Sequence, residues 1–192
     1  MANTTTQKFV FNNQADGLYP LVTDVMAHIT QQQKTDEDTI TKLKLVLVEL
    51  LTNSLKHSGS EETTIEITTT GNQITIRKTD RGNGLAIRCN GNLLEWPLPG
   101  KHHANRVLTV YANADAILKA KLTNNCGLQF FIEETEQTGQ LDINTLTEHF
   151  GLLIITRASN TFAYEFDIDS CTNSFTASVT SMGVKISMYA KS

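Results

Sequence analysis

Three polar side chains recur at intervals of about one helical turn beside a run of apolar residues. Glu49, Asn53 and His57 stand four residues apart, which puts them in one row on the surface of a helix. The neighbouring positions predict the buried stripe of that helix, namely Leu43, Val46, Leu47, Leu50 and Leu51. A carboxylate, an amide and an imidazole on the border of an apolar face could meet a bound ligand. They could also form a solvated flank, and the row taken alone favours the flank.

A turn rich in glycine follows the next predicted strands. Residues 63–70 and 73–79 alternate between apolar and polar side chains around Gly71-Asn72, which predicts a hairpin. Its second strand runs directly into Asp80-Arg-Gly-Asn-Gly-Leu85. Glycine allows the backbone to approach a ligand or to adopt a positive φ. An aspartate at the end of such a strand can accept a hydrogen bond from an exocyclic amine, as on adenine, although the turn by itself is a generic one.

Together the two segments resemble the N and G1 boxes of the GHKL ATPase superfamily. The helix pattern of that family, Glu-x-x-x-Asn followed by Lys/Arg-His, stands here as Glu49-Leu-Leu-Thr-Asn53-Ser-Leu-Lys56-His57. Its Asp-x-Gly-x-Gly pattern stands here as Asp80-Arg-Gly82-Asn-Gly84. The order of strand, helix, helix, N box, hairpin and G1 box is also similar. Residues 8–85 look most like the anti-sigma-factor serine kinases.

The second half of the chain resembles the family less closely. Members carry a glycine-rich G2 box that closes over the phosphates, and its best match here, residues 149–155, keeps only Gly151. The Gly-Thr that precedes the last core strand of the family falls on Asn173-Ser174, which keeps a hydroxyl at Ser174. A rival alignment places it on Gly183-Val184. An insertion of roughly residues 86–145 occupies the interval where the ATP lid normally sits.

The resemblance implies that ATP and Mg²⁺ bind between the N and G1 boxes. Asn53 would complete the coordination of Mg²⁺, for which a neutral amide oxygen is a suitable hard ligand. Glu49 would act as the general base toward the γ-phosphate. His57 would either line the phosphates or cap the end of its helix.

The remaining site residues follow from the G1 and G2 boxes in the same way. Asp80 would read the adenine amine, and Gly82 and Gly84 would let the backbone approach the base and ribose, with the adjoining Leu85 in the same site. Gly151 and Ser174 would complete the nucleotide site from the second half of the chain. By contrast, we expect Lys101, His102 and His103 to form a surface cluster and Trp96 to be a packing anchor.

The pattern of periodicities predicts an α+β fold over residues 1–192. The resemblance implies a two-layer α/β sandwich of the Bergerat ATP-binding type, with a mixed, mostly antiparallel sheet and an insertion near the ATP lid. Strands are expected over 8–12, 162–168, 175–179 and 184–189, and extended structure within 107–134. Helices are expected over 19–32, from Asp36 to His57 with Gly59 as a left-handed stop, and over 146–159 with an interruption near Gly151. Residues 86–106 are predicted to be a loop.

Composition narrows the classes of function. The 192 residues are 40% hydrophobic and 19% charged, as in an ordinary globular domain. A net charge of −4 argues against nucleic acid as a partner. No apolar run approaches the roughly 18 residues that span a bilayer, and the polar N-terminus is unlike a signal peptide, so we expect a cytoplasmic protein without a membrane partner. Its widely spaced cysteines, Cys89, Cys126 and Cys171, are expected to be reduced thiols.

The functional expectation is an ATP-binding regulatory protein similar to the anti-sigma-factor serine kinases. It would either phosphorylate a protein serine or threonine or sequester a partner when nucleotide is bound. The resemblance implies a sigma factor or an anti-anti-sigma-like protein as the partner, and a homodimer by analogy. The alternative is a catalytically inactive interaction module of the GHKL fold, which the thinned G2 box and the insertion favour.

Overall fold

Helices and strands account for most of the residues that the structure describes. A computed structural model of the protein describes residues 3–89, 92–100, 105–113, 115–134 and 149–181. The strands are β1 (Thr4–Phe11), β2 (Thr63–Thr70), β3 (Gln73–Arg81), β4 (Ala86–Cys89), β5 (Asn92–Glu95), β6 (Val107–Ala112), β7 (Ala116–Leu122), β8 (Gly127–Glu134), β9 (Thr161–Asp167) and β10 (Thr172–Thr180). The helices are α1 (Ala15–Gln32), α2 (Glu37–His57) and α3 (Phe150–Ala158).

Eight of these strands form one sheet, in the order β1-β2-β3-β10-β9-β8-β7-β6. Every strand pair in the described ranges is antiparallel. The helices pack on the sheet face where the apolar side chains of the strands are buried, with α2 in contact with both α1 and α3. The fold is therefore a two-layer α+β sandwich, and the predicted fold class is confirmed.

The first helix–helix–hairpin unit follows the sequence signals closely. Asp36 caps α2, because its carboxylate accepts hydrogen bonds from the Thr39 backbone N–H at 2.9 Å and from the Thr39 hydroxyl at 2.7 Å. The same carboxylate accepts a hydrogen bond from the Ser181 hydroxyl at 3.1 Å, which ties the start of α2 to the chain just after β10. Gly71 has a φ of 60° in the β2–β3 turn, where glycine avoids the strain of the left-handed region.

The predicted left-handed stop at Gly59 is wrong. Ser58 ends α2 with an extended backbone (φ −68°, ψ 128°), and its N–H donates to the Ser54 carbonyl at 3.0 Å. Gly59 instead lies against the G1 turn, where a Cβ on it would stand 3.4 Å from Cα of Gly82. The small residue is used for close packing between two segments rather than for a turn.

The described part of the insertion extends the sheet, and the extended structure predicted within 107–134 is confirmed. Strands β6, β7 and β8 add to the sheet beyond β9, their inward side chains are buried, and β8 contacts α3. The expectation of a loop over 86–106 is wrong where β4 and β5 form a separate antiparallel pair. Each of these strands has four residues, too few to produce a recognisable alternation.

The last helix and strands differ from the prediction mainly at their boundaries. Gly151 does not interrupt α3 but lies in its first turn, since the helix begins at Phe150. Strand β10 begins at Thr172 and so includes both Asn173 and Ser174. The predicted strand 184–189, the alternative Gly183-Val184 alignment and the cluster at residues 101–103 lie outside the described residues.

Candidate functional site

A cleft of about 530 Å³ lies between α2, the end of β3, β10 and the first turn of α3. Its volume is within the range of small-molecule sites. Seven of the nine predicted site residues line it, namely Glu49, Asn53, His57, Asp80, Gly84, Leu85 and Gly151. The helical row and the G1 turn, which are separated in the sequence, therefore face one cavity.

The N-box end of the cleft presents polar atoms that have no protein partner. Glu49 and Asn53 are half-buried, and within the described residues neither side chain forms a hydrogen bond or an ion pair. Gly151 lies directly over them, because a Cβ built on it would stand 2.6 Å from Oε2 of Glu49 and 3.6 Å from Oδ1 of Asn53. His57 and Lys56, in the last turn of α2, continue the same wall with exposed side chains. This end combines two oxygen ligands with nearby positive charge.

The G1 end of the cleft differs, because its aspartate is already engaged. Asp80 is only 6% exposed, and its Oδ1 accepts a hydrogen bond from Nδ2 of Asn173 at 3.1 Å. Its Oδ2 forms an ion pair with the ammonium of Lys78, which is 3% exposed. Asp80 was predicted from the sequence as a site residue, whereas Lys78 and Asn173 were not predicted as its partners.

Asn173 is held in one orientation by its neighbours. Burial raises the pKa of Tyr164, so the phenol stays protonated. Its hydroxyl donates a hydrogen bond to Oδ1 of Asn173 at 2.8 Å. The amide nitrogen must then face the other way, where it donates to Asp80 and, at 3.0 Å, to the carbonyl of Asn83. The phenol oxygen also accepts a hydrogen bond from the Leu85 N–H at 2.8 Å. This network fixes the G1 turn and one side of the Asp80 carboxylate.

Lys78 occupies a position where the strand pattern calls for an apolar side chain. It pairs with Ile65 on one neighbouring strand and with Phe175 on the other, in the buried layer beneath the helices. Its Nζ lies 5.0 Å from the centroid of the Phe175 ring. Burial lowers the pKa of Lys78, and the negative charge of Asp80 opposes that shift. The alternation of Ile74, Ile76, Lys78 and Asp80 along β3 would have revealed this inward lysine from the sequence.

Two predicted site residues do not lie in the cleft. Ser174 points to the opposite face of the sheet, where its hydroxyl accepts a hydrogen bond from Nη2 of Arg77 at 3.3 Å beside a separate depression of about 310 Å³. Strand alternation brings Asn173 to the cleft instead, so an amide stands where a hydroxyl was expected. Gly82 has a φ of 149°, and a Cβ on it would lie 3.1 Å from the Gly59 nitrogen. Gly82 therefore allows the G1 turn to pack against the end of α2.

Gly84 is constrained by the segment that follows β5. A Cβ at Gly84 would stand 1.8 Å from the carbonyl oxygen of Trp96, so only glycine fits. Next to it, the Trp96 N–H donates to the Leu85 carbonyl at 2.9 Å, and the indole is buried, as expected of a packing anchor. The backbone of the G1 turn thus forms a wall of the cleft that carries no side chain at Gly84.

The residues of the cleft fit a nucleotide with a magnesium ion better than an isolated metal. Among the described residues no group of three His, Cys, Asp or Glu side chains could hold a metal ion. The atoms of Asn53 and Glu49 that can ligate a cation are the amide Oδ1 and the carboxylate oxygens, which suit Mg²⁺ when phosphates and water supply its remaining ligands. The cleft could hold such a ligand with its base at Asp80 and its phosphates near α2.

Comparison with known families agrees with this geometry. The family model described as histidine kinase-, DNA gyrase B- and HSP90-like ATPase matches residues 38–180, about three quarters of the chain. The fold and site thus define a GHKL-type ATP-binding domain. The protein belongs to the histidine kinase-, DNA gyrase B- and HSP90-like ATPase family.

Two further results bear on classification. A search of curated proteins finds no match to the chain. None of the helices in the described ranges is both long and apolar enough to cross a membrane.

Proposed function

We propose that the protein binds Mg-ATP between the N box and the G1 box and acts as an ATP-dependent regulatory protein of the anti-sigma-factor serine kinase type. The observation that carries the proposal is the cleft that Glu49, Asn53 and Asp80 share. The first two side chains have no partner within the described residues, which leaves their oxygen atoms available to a ligand.

Each end of the cleft has a distinct role in this proposal. Asn53 completes the coordination of Mg²⁺ through its amide oxygen. Glu49, one helical turn earlier, accepts a proton from the water or hydroxyl that attacks the γ-phosphate. Lys56 places positive charge near the phosphates, and His57 lines the same side of the cleft. Asp80 contacts the base at the opposite end of the cleft.

The nature of the partner follows from the resemblance of residues 8–85 to the anti-sigma-factor serine kinases. We propose a protein of the sigma-factor or anti-anti-sigma class as that partner, and a homodimer as the functional form. A serine or threonine of the partner would be the phosphate acceptor. Purified protein with a candidate partner and labelled ATP tests this directly, and label that stays off the partner would remove the kinase assignment.

A second function is an interaction module that binds nucleotide without turning it over. The observations that favour it are the ion pair between Lys78 and Asp80, which occupies the base-reading carboxylate, and the single glycine, Gly151, at the start of α3. Without further glycines the segment near the phosphates has less freedom to close, so water would enter and the γ-phosphate would be less well positioned.

Isothermal titration with ATP in the presence and absence of Mg²⁺ tests the proposal that the two functions share. We expect binding that Mg²⁺ strengthens. Absence of binding at millimolar nucleotide would remove both functions.

Turnover separates the two functions. Phosphate release or transfer is measured on the wild type and on Glu49→Ala, with Glu61→Ala as a matched loss of an exposed glutamate outside the cleft. A rate that falls about a hundredfold or more only in Glu49→Ala supports the enzyme, since positioned general bases contribute 10²–10⁴-fold. Equal background rates in all three proteins support the module.

A further inference from the structure

The Lys78 ammonium has more hydrogen-bond donors than its protein partners use. An ammonium carries three N–H donors. One faces Asp80, and the Phe175 ring covers a second direction at 5.0 Å from Nζ. Within the described residues Lys78 forms no other hydrogen bond or ion pair, although its side chain lines the cleft. A donor is therefore left for a ligand that enters beside Asp80.

The Asp80 carboxylate is also incompletely used. One oxygen accepts from Asn173 and the other from Lys78, whereas two carboxylate oxygens together offer about four acceptor sites. The orientation of Asn173 is fixed by Tyr164, so this amide cannot turn to change the polarity of the site. The base-binding end of the cleft consequently presents a charged donor and a charged acceptor side by side.

This pair changes which purines can be bound. A carboxylate alone accepts the 6-amino group of adenine but meets the 6-oxo group of hypoxanthine or guanine as a second acceptor, with no proton between them. With an ammonium beside it, adenine can donate its amine to Asp80 and accept at N1 from Lys78. A 6-oxopurine whose base is displaced, so that O6 faces Lys78 and N1 faces Asp80, can accept at O6 from Lys78 and donate its N1–H to Asp80. Both contacts are charge-assisted for either base.

We propose that Lys78 is a specificity-determining residue and that the cleft accepts 6-oxopurine nucleotides as well as adenine nucleotides. This inference rests on the proposed function, because it requires a nucleotide with its base at Asp80. A purely structural ion pair would need no cavity next to it, whereas Lys78 and Asp80 both line the cleft.

The test compares ATP with inosine triphosphate, which differ only at the 6-position and in the N1 proton. Titration of the wild type with each magnesium nucleotide should give dissociation constants within about fivefold of one another, since each base makes two charge-assisted contacts. Lys78→Met removes the donor and should weaken inosine triphosphate relative to ATP by about tenfold or more. Lys78→Gln keeps an N–H donor, so the ratio of the dissociation constants for inosine triphosphate and ATP should change by less than about threefold.

Controls and contrary outcomes separate this inference from the proposed function. Lys44→Met, on the exposed face of α2, controls for the loss of a positive charge and should leave the ratio as in the wild type. Circular dichroism checks the fold of each variant. If Lys78→Met does not fold, the wild-type protein provides the test by itself. A wild-type preference for ATP over inosine triphosphate of more than about fiftyfold in dissociation constant would overturn the inference. If Lys78→Met leaves the ratio of the two dissociation constants unchanged, the role of Lys78 in specificity is overturned while nucleotide binding stands. If neither nucleotide binds, both this inference and the proposed function are removed.

Discussion

A side chain at position 151 would place its Cβ 2.6 Å from Oε2 of Glu49, so the first turn of α3 can lie against this carboxylate only because residue 151 is glycine. This close approach brings the N box against residues 149–155, the best match to the G2 box, which lie about a hundred residues later in the sequence. The atom in conflict is the end of a flexible side chain, so a larger residue would displace the Glu49 carboxylate without disrupting the packed helices.

Gly151→Ala should therefore impair the site while preserving the fold. Alanine favours a helix over glycine, which offsets the local crowding, so we expect Tm to stay within about 3 °C of the wild type. The affinity for Mg-ATP should fall about tenfold, because the Glu49 carboxylate must move into the space beside Asn53. Gly17→Ala is the matched control, since a Cβ there meets only Phe11 at 3.6 Å. Titration calorimetry measures the affinity for Mg-ATP. If Gly151→Ala bound Mg-ATP as tightly as the wild type, the phosphates would not lie at the N-box end of the cleft.

Removal of the Asn53 amide should uncouple nucleotide binding from magnesium. We expect Asn53→Ala to reduce the gain in affinity that Mg²⁺ gives by about tenfold or more, because a ligand oxygen is lost. Binding of ATP without the ion should change little. The comparison requires titrations with Mg²⁺ and with a chelator, and Gln31→Ala, which removes an exposed amide of α1, serves as the control. An equal effect of Mg²⁺ on Asn53→Ala and the wild type would place the ion elsewhere.

The fold was predictable where periodicity and caps agree over many residues. The cap at Asp36, the buried stripe of α2 and the β2–β3 hairpin depend on contacts between residues near in sequence, and the structure has all three. The pairing of β8 with β9 was not predictable, since it joins distant segments with no local signal. Strands as short as β4 and β5 are stabilised by their partners rather than by intrinsic propensity.

The site was predictable as far as its motifs extend. Glu49, Asn53 and Asp80 belong to motifs with fixed spacing, and a helix and a strand end carry them to one cleft. Ser174 was placed in the site by the family alignment alone, and within β10 its neighbour Asn173 faces the cleft instead, because adjacent residues of a strand point to opposite faces. The alternation along β3 places Lys78 on the inward face, but a lysine is unusual there and was not followed up, and its pairing with Asp80 makes the position tolerable.

A substitution of Gly84 tests the close packing of the G1 turn against the segment after β5. Gly84→Ala places a methyl group 1.8 Å from the Trp96 carbonyl oxygen, and the backbone must shift to relieve the overlap. We expect a loss of about 3 kcal/mol in the free energy of unfolding, at the upper end for overpacking. The corresponding fall in Tm is roughly 6–12 °C for a chain of this size. Thermal unfolding by circular dichroism measures it, and a Tm equal to that of Gly17→Ala would contradict the close approach.

The cap of α2 gives the stability a pH dependence of known sign. Hydrogen bonds from the Thr39 backbone N–H and hydroxyl lower the pKa of Asp36 from 3.8 to about 2. A carboxyl whose folded-state pKa is depressed stabilises the fold above its unfolded pKa, and this contribution is lost as pH falls through the folded value. Asp36→Ala should therefore lower Tm by a few degrees near pH 6, and the difference from wild type should shrink as pH falls from about 4 to about 2. Asp24→Ala, at an exposed position of α1, controls for the general effect of removing a carboxylate. If the difference in Tm between Asp36→Ala and wild type were the same at pH 6 and pH 2, the ionised carboxylate of Asp36 would not be the stabilising form of the cap.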